Sequence, residues 1–127
     1  MAIVRDDPII AMTPTADHSD YEGYFVKNSS GSAALCDSAS DDPLGVILDG
    51  EDTDGQDSIG LLGGMRKTAH VKLAGTVSQF GLIQLTSAGK AEADAGTGAR
   101  VIVGRVLEAG VADEKVEAIL FTPVAYT

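Results

Sequence analysis

The chain has 127 residues, with 9 Lys and Arg against 19 Asp and Glu, a formal charge of −10, a 44% apolar fraction and 5% aromatic residues. This length holds one packed core rather than two enzyme domains flanking a cleft, and the ordinary apolar share excludes a wholly disordered acidic chain. The negative balance disfavours a nucleic-acid partner, whose phosphates attract Lys and Arg.

The elements are read in chain order. Residues 1–20 carry scattered apolar side chains (Ile3, Val4, Ile9, Ile10, Met12) between Pro8, Pro14 and several Asp, with no helical or alternating period. Both prolines lack an N–H and bias their predecessors toward extended backbone, so this stretch is expected to be an extended N-terminal arm. Asp6 and Asp7 interrupt the apolar core that a secretory signal needs, which points to synthesis in the cytoplasm. No segment reaches the ~18 apolar residues of a membrane helix, so no membrane partner is expected.

From Tyr21 onward, short apolar stretches alternate with Gly, Ser and Asp. Strands are predicted at Tyr24–Lys27, Ala33–Cys36, Leu44–Leu48, Ser58–Leu62, Ala69–Leu73, Leu82–Leu85, Lys90–Ala93, Val101–Leu107 and Lys115–Phe121. Val71 and Leu73 alternate with His70 and Lys72, and Val116 and Ala118 with Lys115 and Glu117, the two-residue period of a strand with one wet face. Asn28-Ser29-Ser30-Gly31 and Ser87-Ala88-Gly89 are hairpin turns by composition.

An internal repeat organises these strands. The block opening at Gly23 lines up with that opening at Gly81, 58 residues on, and Leu44-Gly45-Val46-Ile47-Leu48 lines up with Val103-Gly104-Arg105-Val106-Leu107 at an offset of 59. Two related β units, about 21–62 and 79–122, are therefore expected within one domain over 21–127. Their apolar faces should cover each other in a small β-sandwich or β-barrel. Charge divides along the same line: residues 1–57 hold 13 carboxylates against Arg5 and Lys27, and residues 58–127 hold 6 against 7 cations.

Signals for chemistry are weak, and no enzyme activity or cofactor is expected. His18 falls in the arm and His70 on the polar side of a strand, so both read as surface histidines, and Cys36 ends an apolar strand beside Asp37 and reads as a small buried hydrophobe. Asp49 to Asp57 packs five Asp and Glu into nine residues, but with Gly55 at the invariant glycine of a calcium loop, Gly50 and Leu61 would fall on ligand positions. It reads as a solvated hairpin tip, or an acidic docking surface, rather than a metal site. Lys67-Thr68 follows glycines, but Arg66 intervenes where a phosphate loop has Gly, so Arg66 and Lys67 read as an exposed basic pair able to meet an acidic neighbour.

The order of the duplicated pattern, Gly-Tyr-Phe-Val-Lys to Asp42-Pro43-Leu44-Gly45-Val46-Ile47, then Gly81-Leu-Ile-Gln-Leu to Val103-Gly104-Arg105-Val106-Leu107-Glu108-Ala109 and Val116-Glu-Ala-Ile-Leu120, resembles the small capsid decoration (cement) proteins of tailed bacteriophages over about residues 21–122. The resemblance implies a structural virion protein on the capsid exterior. Such a protein binds the expanded shell as a homo-oligomer, dimer or trimer, and bridges major capsid proteins. On that expectation Ile3, Val4, Ile9, Ile10 and Met12 contact neighbouring subunits, and removal of residues 2–14 leaves the β core folded. A β-sandwich module binding a saccharide or cell-surface ligand is the alternative, although a chain without Trp lacks the usual aromatic platforms.

Overall fold

A computed structural model describes residues 9–64 and 68–127. Ten strands and no helix occur among them: β1 (Ile9–Met12), β2 (Phe25–Ser29), β3 (Ser32–Leu35), β4 (Gly45–Asp49), β5 (Asp57–Leu61), β6 (Ala69–Lys72), β7 (Leu82–Leu85), β8 (Ala91–Ala93), β9 (Arg100–Val106) and β10 (Lys115–Tyr126). They form two five-stranded antiparallel sheets, ordered β1-β5-β4-β2-β3 and β6-β10-β9-β7-β8. Adding five to each strand number of the first gives the second, so the sequence duplication is a duplication of topology.

The arm is the main departure from the sequence reading. Ile9–Met12 pairs with β5, Ile10 opposite Ile59, and the chain then crosses to the opposite edge, where Pro14 bridges Ala33. The second unit repeats the device: Ala69 to Lys72 pairs with β10, and Leu73 bridges Ala91 on β8. One short segment thus ties both edges of its sheet and curls it. Among the described residues the repeat therefore reaches back to residue 9, Ile10 corresponding to Ala69 and Pro14 to Leu73 at an offset of 59. Pro14 is tolerated because its neighbours make the bonds to Ala33, Thr15 N–H donating to the Ala33 carbonyl and Ala33 N–H to the Thr13 carbonyl, so no N–H is needed from Pro14 itself.

Turn chemistry follows the sequence closely. Ser30 and Gly31 join β2 to β3 with φ of 51° and 89°, the mirror-image turn whose twist suits a hairpin, and Asn28 Oδ1 accepts the Gly31 N–H at 2.8 Å. Residues 109–114 hold no helix: Gly110 bridges Val77, and Glu114 N–H donates to the Val111 carbonyl to close a turn.

Backbone pairing corrects the alignment of the two units by one residue at β2 and β7. Gly45 faces Val26 and Leu61, and Gly104 faces Ile83 and Leu120. Val26 therefore corresponds to Ile83, and Phe25 to Leu82, an offset of 57 rather than 58. Positive φ agrees, since Gly23 (88°) corresponds to Phe80 (64°). In a strand a one-residue slip exchanges faces, and that changes how the sheets meet.

The sheets stack through unlike faces. From the first sheet, Phe25, Val46, Leu48 and Leu62 enter the larger core; from the second come Val71, Ile83, Val106, Ala118 and Leu120. The counterparts of Ile83, Val106 and Ala118 in the first sheet, Val26, Ile47 and Ile59, form a separate smaller core with Met12 and Ala33 inside its own curl. The apolar faces of the two units do cover each other, as in a small β-sandwich, but through non-equivalent faces: one face of the first sheet seats on the opposite face of the second.

Candidate interaction surface

Among the described residues the stacking leaves one sheet face uncovered. On the second sheet, Leu82 pairs with Arg105, Arg105 with Ile119, and Gln84 and Val124 with Ile102, so these side chains share the face pointing away from the first sheet. Ile119 is 44% exposed, Val124 46% and Tyr126 47%, whereas Phe25 and Val46, at the positions of Leu82 and Arg105, are fully buried. His70, Lys72, Lys115 and Glu117 stand on the same face of β6 and β10, and Glu92 on β8.

Polar contacts brace this face. Arg100 Nε donates to Asp94 Oδ1 at 2.6 Å, and its guanidinium lies 4.4 Å from the Tyr126 ring centre. Asp94 is held below the usual carboxylate range first by the Gly96 N–H and then by Arg100. Gln84 links Glu92 to the Ala95 N–H, and Arg105 Nη1 donates to the Phe80 carbonyl at 2.5 Å. That bond fixes Phe80, 54% exposed, at the margin of the face.

Of the residues expected to contact a partner, those the structure describes serve the first unit's own packing. Met12 is 8% exposed and Ile10 packs against the smaller core, so both serve this chain's own interior, and Ile9 is half-buried opposite Gly60. Ile3, Val4, Arg66 and Lys67 lie outside the described residues. His70 is exposed as expected.

His18 is not a surface residue. It is 1% exposed and its Nδ1 lies 2.5 Å from Oδ2 of Asp57, itself fully buried. Asp57 therefore leaves the solvated tip to which the sequence assigned it; its Oδ1 accepts the Glu51 N–H at 2.9 Å, while Glu51, Asp52 and Asp54 are exposed. Among the described residues no three His, Cys, Asp or Glu side chains converge as a metal-binding group.

Cys36 is 1% exposed, and burial followed by the charge of Asp41 pushes its thiol up to about 12. A thiol so placed is almost wholly protonated and screened from attack.

Two hollows lie among the described residues. One of about 330 Å³ lies at the sheet junction among Glu22, Leu48, Thr68, His70 and Lys115, and one of about 430 Å³ lies between the β3–β4 loop (Ser38, Ser40) and Arg100, Val101 and Tyr126. Arg100 covers one face of the Tyr126 ring, which removes that face as a platform for a sugar.

No protein-family profile matches the chain, and no curated protein matches it.

Proposed function

We propose that this protein is a structural virion component that binds the outer surface of an expanded phage capsid and reinforces contacts between major capsid proteins. The observation that supports this reading is the tandem of two curled sheets with one strand order, because the residue blocks that resemble the decoration proteins fall on corresponding strands of the two units. Such a module offers rigid surfaces carried by sheets rather than a cleft built around reacting groups.

The mechanism is binding in many copies to a lattice. A module of this size makes modest individual contacts, and contacts to several capsid subunits at once raise the effective concentration of each remaining contact. Preference for the expanded lattice then stabilises that lattice by mass action. The carboxylates concentrated in residues 1–57 keep a densely covered shell soluble.

The test is incubation of the purified chain with expanded capsids lacking any decoration, followed by electron microscopy. Ordered density at repeated positions on the shell supports the proposal, and bare capsids under saturating protein overturn it.

A further inference from the structure

We infer that the outward face of the second sheet is where two copies of this chain associate, each presenting the same face to the other.

Three independent observations meet there. The first is internal precedent. Both sheets have one strand order, and in the first sheet the face bearing Phe25 and Val46 is buried under a second layer. Its counterpart bears Leu82, Arg105 and Ile119 and has no layer over it among the described residues, with Ile119 44% and Val124 46% exposed. Large apolar side chains grouped on an uncovered sheet face mark an interaction surface rather than scattered exposure.

The second observation is Phe80. A bulky residue at φ of 64° is uncommon, and the first unit has Gly23 at this position, where no Cβ suffers. Phe80 is nevertheless held there, 54% exposed, with its carbonyl bonded to Arg105 of the same face. Strain retained beneath an exposed aromatic ring fits an anchor that gains its contacts on association.

The third observation is charge, and it selects the occupant. Residues 9–57 hold eleven carboxylates against Lys27 alone, so an approach of two copies through the first unit sets like charges together. On the outward face of the second sheet, Lys72, Arg105 and Lys115 stand among Glu92 and Glu117, while Arg100 and Asp94 are paired with each other. An interleaved face of this kind is complementary to itself when turned about a two-fold axis, and it lets two strongly acidic chains meet without net repulsion. Head-to-tail stacking of sheets is closed off, because the face such stacking would use on the first sheet, carrying Val26, Ile47 and Ile59, is at most 1% exposed inside its own curl.

This association is independent of the capsid reading, and its test needs no capsid. The full chain is examined by sedimentation equilibrium over a wide concentration range, with Ile119→Asp and Val124→Glu as separate variants whose folding is checked by circular dichroism. Two-chain mass for the wild type and association weakened roughly tenfold or more in each folded variant support the proposal. Arg105→Glu should weaken the dimer, and adding Glu117→Arg should restore part of it. A wild type that stays monomeric overturns the proposal, as does a trimer or a dimer that both variants leave intact. Monomeric protein whose capsid binding is abolished by Ile119→Asp also overturns it, and assigns the face to the shell.

Discussion

The imidazole of His18 and the carboxylate of Asp57 form a buried pair, Nδ1 to Oδ2 at 2.5 Å, at the positions that Val77 and Val116 occupy in the second unit. The correspondence rests on backbone pairing. His18 N–H donates to the Glu51 carbonyl as Val77 N–H donates to Gly110, and Met12 faces Asp57 as Val71 faces Val116. One sheet unit closes its end with a polar pair, and the other closes the same end with two valines.

That substitution between units makes a prediction. His18→Val alone strands a buried carboxylate and should cost about 3–5 kcal/mol, whereas His18→Val with Asp57→Val reproduces the arrangement of the second unit and should recover most of the loss. Urea unfolding of the two singles and the double measures the coupling. A double variant as unstable as the sum of the singles would show that the pair's worth lies elsewhere, as in the bond from Glu51 N–H to Asp57.

The two strand glycines at equivalent positions should behave alike. A Cβ at Gly45 would collide with the Gly60 carbonyl oxygen, and one at Gly104 with the Ile119 carbonyl oxygen. Backbone atoms cannot swing aside as side chains do, so Gly45→Ala and Gly104→Ala should each lower stability by about 1–3 kcal/mol. Thermal unfolding checks this, and a neutral substitution at either site would contradict the paired geometry.

Residues 9–12 belong to the fold, so removal of residues 2–14 should not leave the β core intact as the arm reading expects. Removing residues 2–14 takes away β1 and the buried Met12, and should unfold or strongly weaken the first sheet. Met12→Ala should itself cost about 2–5 kcal/mol. Chemical denaturation of that point variant is the cleaner measurement, since it leaves the strand pairing in place.

Asp41 links stability to pH. Burial works against its charged form, but the N–H groups of Asp37 and Ser38 and then the Lys27 ammonium outweigh that, and its carboxyl lies below the ordinary value. A carboxyl lowered by folding stabilises above the unfolded value of about 3.9 and loses that contribution as pH falls through the lower folded value. Asp41→Asn should therefore trail the wild type at neutral pH, with the gap shrinking below about pH 4. A gap that stays constant into strong acid would exclude this origin.

Cys36 should resist alkylation in the native protein and react on unfolding. With its thiol pushed up to about 12 and 1% of its surface exposed, reaction at mildly alkaline pH requires opening of the larger core. Maleimide labelling followed by mass spectrometry, with and without urea, reads this directly. Rapid native labelling would mean that Cys36 is not shielded.

All nine strands named from the sequence are present, because each was written in local terms: β-branched and alternating residues bounded by Gly, Ser, Asn or Asp. The tenth, Ile9–Met12, was hidden by Pro8 and Pro14, which mark it as irregular when read alone. It becomes legible only through its counterpart Ala69–Lys72. His18 reads as a surface residue because it falls within the apparent arm, and its burial is legible only in register with Val77, which the match of Gly23 to Gly81 by identity hides because Gly23 corresponds to Phe80 in conformation.

By itself, then, the sequence determined strands, turns and duplication, since propensity and turn conformation act over a few neighbouring residues. Tertiary structure decided which face of each sheet is interior. A strand offers two faces by alternation, and in the first sheet both are apolar enough to bury: Phe25 and Val46 on one, Val26 and Ile47 on the other. Only the curling of the first sheet around Val26 and Ile47, and the seating of its other face on the second sheet, leaves Leu82, Arg105 and Ile119 facing outward. That choice follows from long-range packing of whole layers, which no local pattern encodes.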